Sequence, residues 1–256
     1  MHRLVIPSAT LVRRHDYTND LFVVWLQPQL PLTFTAGQYI TIGVNGVERP
    51  YSIVSAPYEP LIELFIELVP PDRGGVLTPV LHRLGVGDSV SMRTKAKGRF
   101  TINTTVHHHV MVATVTGIAP CISMIRQTAH ERAGAPGAID HRFYVLHGAS
   151  FADEFVYDRE LQRLSDEHKS LIQYVPSVSR PSAARNAQWQ GTVGRVNEIL
   201  DDQLACWSPP KDDTMIYLCG HPGMIEDAER RLAPRGWTIT REQYWAPHAR
   251  RARSKT

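Results

Sequence analysis

The sequence is short of the residues that build metal centres and disulfide frameworks. Its 256 residues include three cysteines, Cys121, Cys206 and Cys219, set far apart and in no Cys-x-x-Cys pair. That excludes a thiolate iron–sulfur cluster, a structural zinc site or a disulfide scaffold as the organising element. His-Glu-x-x-His spacing is absent. The run His107-His108-His109 has no acidic or cysteine partner beside it, and consecutive side chains diverge, so it reads as a polar turn between two domains. No metal is expected. No apolar run approaches the ~20 residues of a membrane helix. The first residues lack the charged segment, apolar run and cleavage site of a secretory signal. A cytoplasmic protein with no membrane partner is the expectation. Charge of one sign is scarce as well: 28 basic residues face 25 acidic ones, a net +3. The stretch Arg250-Arg251-Ala252-Arg253-Ser254-Lys255 carries cations and no acid, so the remainder is close to neutral. That balance speaks against a nucleic-acid surface. Neither Gly-x-Gly-x-x-Gly nor Gly-x-x-x-x-Gly-Lys-Ser/Thr occurs, so the two common phosphate fingerprints are missing.

What is present is a change of period along the chain. Up to about residue 103 the sequence reads as β. Thr10–Val12, Leu21–Leu26, Tyr39–Val44 and Ile62–Leu68 are short runs rich in β-branched and aromatic residues. Turn signals separate them: Thr18-Asn19-Asp20, Asn45-Gly46, Pro70-Pro71-Asp72 and Gly85-Val86-Gly87-Asp88. Glu63 and Glu67 alternate with apolar neighbours, which predicts a strand with a wet face. A single helix is expected over Leu77–Leu84. This pattern predicts an antiparallel β-barrel. Beyond Asn103-Thr104-Thr105 apolar strands alternate with helices. Strands are expected at Val110–Thr114, Phe143–Gly148, Leu171–Pro176 and Thr214–Gly220, with a last strand that Glu242–Trp245 closes. Helices are expected from Ala119 or Pro120 to Arg132 and over Tyr157–His168, Val193–Gln203 and Met224–Arg235. Such alternation predicts a parallel sheet covered on both faces, with ligands at the carboxyl ends of its strands. The expected division is 1–103 and 104–256, with a basic tail over 246–256.

Four stretches could carry chemistry. Arg49-Pro50-Tyr51-Ser52 combines a fixed cation, a ring and a hydroxyl, which suits a ligand with an anionic centre and a flat ring; ordinary cross-strand pairing explains it equally. Thr116-Gly117-Ile118-Ala119-Pro120 follows a strand and opens a helix, either to face a phosphate or as a tight turn needing a small residue. Cys219-Gly220-His221-Pro222-Gly223-Met224 stands at another strand end, its thiol facing a ligand crevice or packed inside. Arg180, Arg185 and Arg195 could clamp a phosphate or lie as scattered surface charge.

In their order these motifs resemble the ferredoxin/flavodoxin–NADP(+) reductases, in particular the compact bacterial form, over about residues 3 to 245. The resemblance implies a two-domain enzyme: an antiparallel β-barrel FAD-binding domain followed by a parallel-sheet α/β nucleotide-binding domain. It implies bound FAD, NADP(H) as co-substrate, and hydride transfer between nicotinamide C4 and flavin N5. Arg49 would meet the FAD pyrophosphate, Tyr51 and the neighbouring Pro50 the flavin, and Ser52 its N5. Glu67, Leu68 and Val69 would run beside FAD, and Gly75, Val76, Leu77 and Thr78 would hold the pyrophosphate. Thr116 and Gly117 would form the nicotinamide-side turn. Arg180 and Arg195, with Arg185, would read the 2′-phosphate. Cys219, Gly220 and Met224 would stand near the nicotinamide, with Cys219 shaping that pocket and Glu242 assisting proton balance. Tyr244 and Trp245 would cover the flavin. An acidic ferredoxin or flavodoxin would be the partner of a monomer, steered by Arg73, Arg93, Lys95, Lys97 and Arg99.

The chain departs from that pattern at four places. Val115 replaces the first glycine of the family's Gly-Thr-Gly. Ser150 occupies a position where relatives often carry another phosphate-binding arginine. Pro50 is less usual in the compact form than alanine, and a basic tail follows Trp245. The competing readings are an NADH-dependent flavin reductase serving an oxygenase, and a flavin-bearing regulatory or electron-transfer subunit. The regulatory subunits of this kind carry a four-cysteine cluster that this chain cannot build.

Overall fold

The computed structural model describes residues 7–134 and 139–243. Tyr244, Trp245 and the tail 246–256, for which roles were expected, lie outside the described residues. The first half forms strands β1 (Ser8–Asp16), β2 (Leu21–Pro28), β3 (Tyr39–Val44), β4 (Val47–Ser52) and β5 (Ile62–Glu67). A four-residue helix α1 (Thr78–Leu81) and strand β6 (Ser89–Met92) follow. The six strands run antiparallel in the order β4-β3-β6-β1-β2-β5. Asn45 and Gly46, both at positive φ, make the predicted hairpin turn between β3 and β4. The sheet curls until its two outer strands meet at a single bridge, Ile53 with Leu64, giving a barrel-like body. Phe22, Ile40, Ile42, Ile53, Leu64 and Leu77 fill its interior.

The second half alternates β7 (His108–Thr114), α2 (Ala119–Gly134), β8 (Arg142–Ala149), α3 (Asp158–Glu167), β9 (Ile172–Val178), β10 (Thr192–Val193), α4 (Val196–Trp207), β11 (Thr214–Cys219), α5 (Pro222–Leu232) and β12 (Thr238–Glu242). All pairings in this sheet are parallel, in the order β10-β9-β8-β7-β11-β12. The chain moves outward from β7 through β8, β9 and β10, then returns to the other side of β7 for β11 and β12. The reversal between β7 and β11 opens a crevice at their carboxyl ends. One face packs on α4 and α5 through Val110, Val112, Ile216 and Leu218. The other packs on α2 and α3, and that core continues into the barrel through Leu21, Val23, Phe65 and Phe100. The sheets are therefore joined by shared apolar contact. We propose the expected division at residues 103 and 104, which lies in the link between β6 and β7.

The structure corrects several expectations. Glu63 was expected on a wet strand face, yet it is 4% exposed, because that face of β2 and β5 is covered by α2 and α3. The expected helix over Leu77–Leu84 is one turn, interrupted after Leu81. Thr192–Val193 forms a strand, so α4 begins at Val196 and not at Val193. The last strand runs Thr238–Glu242 in parallel register with Met215–Cys219, so it reaches Glu242 of the expected closing segment, and Tyr244 and Trp245 lie outside the described residues. The histidine run is no turn: His108 and His109 open β7. His109 is fully buried, its Nε2 2.9 Å from Nδ1 of His141, against Phe143 and Tyr217. The alternation of a strand sends His108 outward and His109 inward, where aromatic neighbours replace water. His107 pairs instead with Asp213 at 3.0 Å.

Burial, aided by His141, holds the His109 pKa down to about 3, and burial holds that of His147 down to about 4. An unfolded histidine titrates near ~6.5, so the unfolded chain takes the proton first. The contribution of these rings is whole above that pH and is lost as pH falls toward their folded values. The melting temperature is expected to drop between about pH 6.5 and pH 4. His109→Gln should flatten part of that drop in thermal unfolding followed across pH; an unaltered slope would assign the acid sensitivity to other groups.

Candidate functional site

The crevice at the β7/β11 reversal opens onto the barrel, and a cleft of about 230 Å³ lies between them. Arg49, Pro50, Tyr51 and Ser52 of β4 form one wall, and Glu67, Val69, Gly75, Val76, Leu77 and Thr78 another. Thr116 is contributed by the second sheet. Ala119 of the turn after β7 also lines the cleft, as do Phe65, Ile66 and Gly74, which no sequence motif singled out. Leu68 does not line it; its amide is spent on the Asp20 carbonyl at 2.7 Å.

Each wall has a local reason for its shape. On β4 alternation turns Ser52 inward, 6% exposed, while Arg49 stays exposed with its guanidinium donating to the Glu48 carbonyl at 2.7 Å. Burial pushes the Tyr51 phenol up, against the opposing pull of Arg49, so its hydroxyl stays protonated. On the second wall the Thr78 hydroxyl ties down Val69, accepting from its amide at 3.0 Å and donating to its carbonyl at 3.1 Å. Gly75 sits so close to this loop that an added Cβ would lie 1.7 Å from the Val69 carbonyl oxygen. Among the described residues no acceptor pairs with the amides of Val76 and Leu77. A dinucleotide fits these groups: unpaired N–H donors and a guanidinium for an anionic centre, and an apolar wall with a phenol for a flat ring.

The expected catalytic residues are brought together from the two sheets. The Ser52 hydroxyl donates to Oε2 of Glu242 at 3.3 Å, although 190 positions separate them in the chain. Glu242 ends β12 in register with Cys219, which ends β11 beside Ala113 of β7. Cys219 is fully buried in the core that joins the sheets. The turn after β7 rests on the turn after β11: a Cβ on Gly117 would fall 2.4 Å from the Cys219 carbonyl oxygen and 2.8 Å from Cα of Gly220. The Thr114 hydroxyl accepts the His221 amide at 2.7 Å and fastens the same pair of turns.

The remaining expected residues lie elsewhere. Met224 is buried in the α4/α5 core and does not line the cleft. Arg180, Arg185 and Arg195 follow β9 and cap α4, all exposed. Arg180 and Arg185 both lie over the Phe151 ring, at 5.5 and 3.9 Å from its centroid. Arg185 is engaged by Asp153 through bonds of 2.5 and 3.1 Å. No group of three or more potential metal ligands occurs among the described residues, and no described helix is long and apolar enough to cross a membrane.

Sequence reading missed one feature of the nicotinamide-side turn. Val115, at the position where a glycine was noted as usual, has φ +43. A β-branched side chain in the left-handed region is strained by roughly 1–2 kcal/mol. Its carbonyl accepts a bond from Nε2 of the buried His147 at 3.1 Å, and its side chain packs beside Phe155 and Ala149. The surroundings hold the conformation, since the residue disfavours it.

Comparison with known proteins agrees with this arrangement. Residues 111–230 match the family model described as oxidoreductase NAD-binding domain. The chain is 28% identical over 262 residues to flavodoxin/ferredoxin–NADP reductase of Escherichia coli, covering 93% of this chain and 98% of that protein. It is 29% identical over 246 residues to ferredoxin–NADP reductase of Pseudomonas aeruginosa, covering 88% of each. Its fold matches a ferredoxin NADP+ reductase of Neisseria gonorrhoeae solved with FAD and NADP, with a TM-score of 0.77 at 22% identity over 93% of this chain and 98% of that one.

The strain at Val115 yields a test of stability. Val115→Gly should be at least as stable as the parent in urea unfolding despite losing a packed side chain, because glycine adopts this φ freely. Val115→Ala should be less stable, keeping the strain and losing the packing. The reverse order would mean that the turn is not strained.

Proposed function

We propose that the chain is a member of the ferredoxin/flavodoxin–NADP(+) reductase family and exchanges electrons between NADP(H) and an acidic ferredoxin or flavodoxin, a reading supported by its similarity to such reductases along 88–93% of its length. It is a flavin- and nicotinamide-dependent oxidoreductase. When bound, FAD supplies the redox chemistry, exchanging a hydride at N5 with nicotinamide C4 and passing electrons singly to the partner. The protein supplies position and charge. The observation that carries the reading is the single cleft whose walls come from β4, the Gly75–Thr78 loop and the turn after β7.

In this proposal Arg49 and the amides of Val76 and Leu77 would hold the pyrophosphate, and Tyr51 would lie against the flavin ring. The Ser52 hydroxyl, whose proton is directed onto Glu242, would stand at the flavin N5. The buried Cys219 thiol shapes the nicotinamide pocket and does not attack substrate. Thr116 and Gly117 bring the nicotinamide-side turn to the cleft. Arg180 and Arg195, exposed at the carboxyl edge of the sheet, read the 2′-phosphate. Arg185, already engaged by Asp153, acts through the Phe151 platform it shares with Arg180. Arg73, Arg93, Lys95, Lys97 and Arg99 are all exposed, the last four on one stretch past β6, and form the docking face for an acidic partner, with Arg93 already engaged by Glu48. We propose a cytoplasmic monomer.

Two observations favour NADH as a second reading: Ser150 stands where an arginine is usual, and Asp153 neutralises Arg185. Steady-state oxidation with ferricyanide as acceptor separates the two. NADPH should be preferred. Arg180→Ala and Arg195→Ala should each raise KM for NADPH about tenfold, the loss of one charge-assisted bond, and leave KM for NADH unchanged. Equal use of both nucleotides, or preference for NADH, would overturn the phosphate-arginine assignment. A purified protein that is colourless and takes up no FAD would overturn the proposal as a whole.

A further inference from the structure

One ridge of α2 makes a set of polar and ring contacts with the barrel. Ser123, Arg126 and His130 follow one another at helical spacing along the same face. The buried Ser123 hydroxyl donates to the Ser55 carbonyl at 2.8 Å. Arg126 spreads its guanidinium over three carboxylates from both halves of the chain. It donates to Glu63 at 2.7 Å and Glu59 at 3.4 Å in the barrel, and to the two oxygens of Glu160 in α3 at 2.7 and 2.8 Å. The other oxygen of Glu63 accepts from the Tyr157 hydroxyl of the second half at 2.8 Å. His130 stacks on Tyr58 with ring centroids 4.0 Å apart. The segment they grip is itself folded around these groups: the Glu63 amide donates to the Ser55 hydroxyl at 3.1 Å, and the Ala56 amide to Glu59 at 2.6 Å.

This segment, 55–63, joins two parts of the cleft wall, Arg49–Ser52 before it and Phe65–Glu67 after it. Its counterpart, α2, begins at Ala119, which lines the same cleft. Seven positions of helix, about 10 Å, separate Ala119 from Arg126. None of Arg126, Glu63, Tyr157 and Ser123 lines the cleft. We propose that Arg126 is a positioning residue for the reductase reaction: by tying α2 to segment 55–63 it fixes how closely the nicotinamide-side turn approaches the flavin wall. This rests on the functional reading above. Hydride transfer requires the two rings near contact, and displacements of about 1 Å cost on the order of a hundredfold in rate. The planar fork of arginine suits three carboxylates in different directions, whereas the ammonium of lysine cannot span them.

The test compares Arg126→Gln, Arg126→Lys and the milder Ser123→Ala with the parent. FAD content, thermal unfolding, KM for NADPH and the anaerobic rate of flavin reduction are measured on the loaded proteins. Amide hydrogen exchange is followed on the proteins without nucleotide. Arg126→Gln should keep its FAD and nearly its KM, lower the reduction rate about tenfold or more, and weaken the long-wavelength charge-transfer band of the nicotinamide–flavin pair. Exchange should quicken in segment 55–63 and at the start of α2, and Arg126→Lys should recover part of the rate. A lowered melting temperature with an unchanged reduction rate and band would make the residue merely structural and overturn the proposal. Should Arg126→Gln fail to fold, Ser123→Ala decides by the same readouts. A parent that takes up no FAD overturns the functional reading and this role with it; a competent parent beside an unaffected variant overturns the positioning role alone.

Discussion

The cleft depends on a place where two backbone turns meet with no room for a side chain. At the ends of β7 and β11 the Gly117 Cα lies against the Cys219 carbonyl, and Thr114 bonds across to His221. A parallel sheet brings its strand ends to one edge, and the reversal of strand order leaves a crevice there. In this chain the crevice is narrow because both turns are small at the contact. Their approach sets the position of Thr116 toward the barrel and of Cys219 and Glu242 behind it. Larger side chains would part the turns and carry Glu242 away from Ser52.

That narrowness explains the tolerance of Val115 for an unfavourable backbone. The turn is pinned by the Gly117 contact on one side and by His147 on the other. The ring of His147 is deep in the apolar core and stays neutral, so it serves as a fixed N–H donor, insensitive to pH over the physiological range. Four polar side chains of this half act on backbone: Thr114, His147, Asn186 and Ser177 each bind a loop to the sheet edge. The chemistry-bearing loops stand on a set of rigid strand ends.

Local residue types made the two architectures legible. The β-branched runs with Asn45-Gly46 between them gave the hairpin, and the apolar strands alternating with amphipathic helices gave the parallel sheet. The motifs at β4, at Gly75–Thr78 and after β7 are brought to one cleft, because each sits at a strand end or tight loop where sequence spacing carries meaning. What stayed hidden depends on contact between distant segments. Glu63 looked like a solvent-facing residue, since alternation reports a face without saying what covers it. His109 looked like part of a turn, because three histidines are unusual at the start of a buried strand. Phe65 and Ile66 line the cleft only because β5 passes behind it, and a strand of apolar residues gives no hint of which ones meet a ligand.

The barrel and the sheet would be read as modules that evolution can exchange. Glu63 speaks against free exchange. Its carboxylate is covered only when the second half is docked, and the groups that satisfy it, Arg126 and Tyr157, both come from that half. A hybrid joining this barrel to a nucleotide domain without such partners would enclose a bare charge at the seam, a penalty of about 3–5 kcal/mol. The pairing thus makes the two halves a matched set: a barrel carrying this carboxylate needs a second half that brings the guanidinium and the phenol with it.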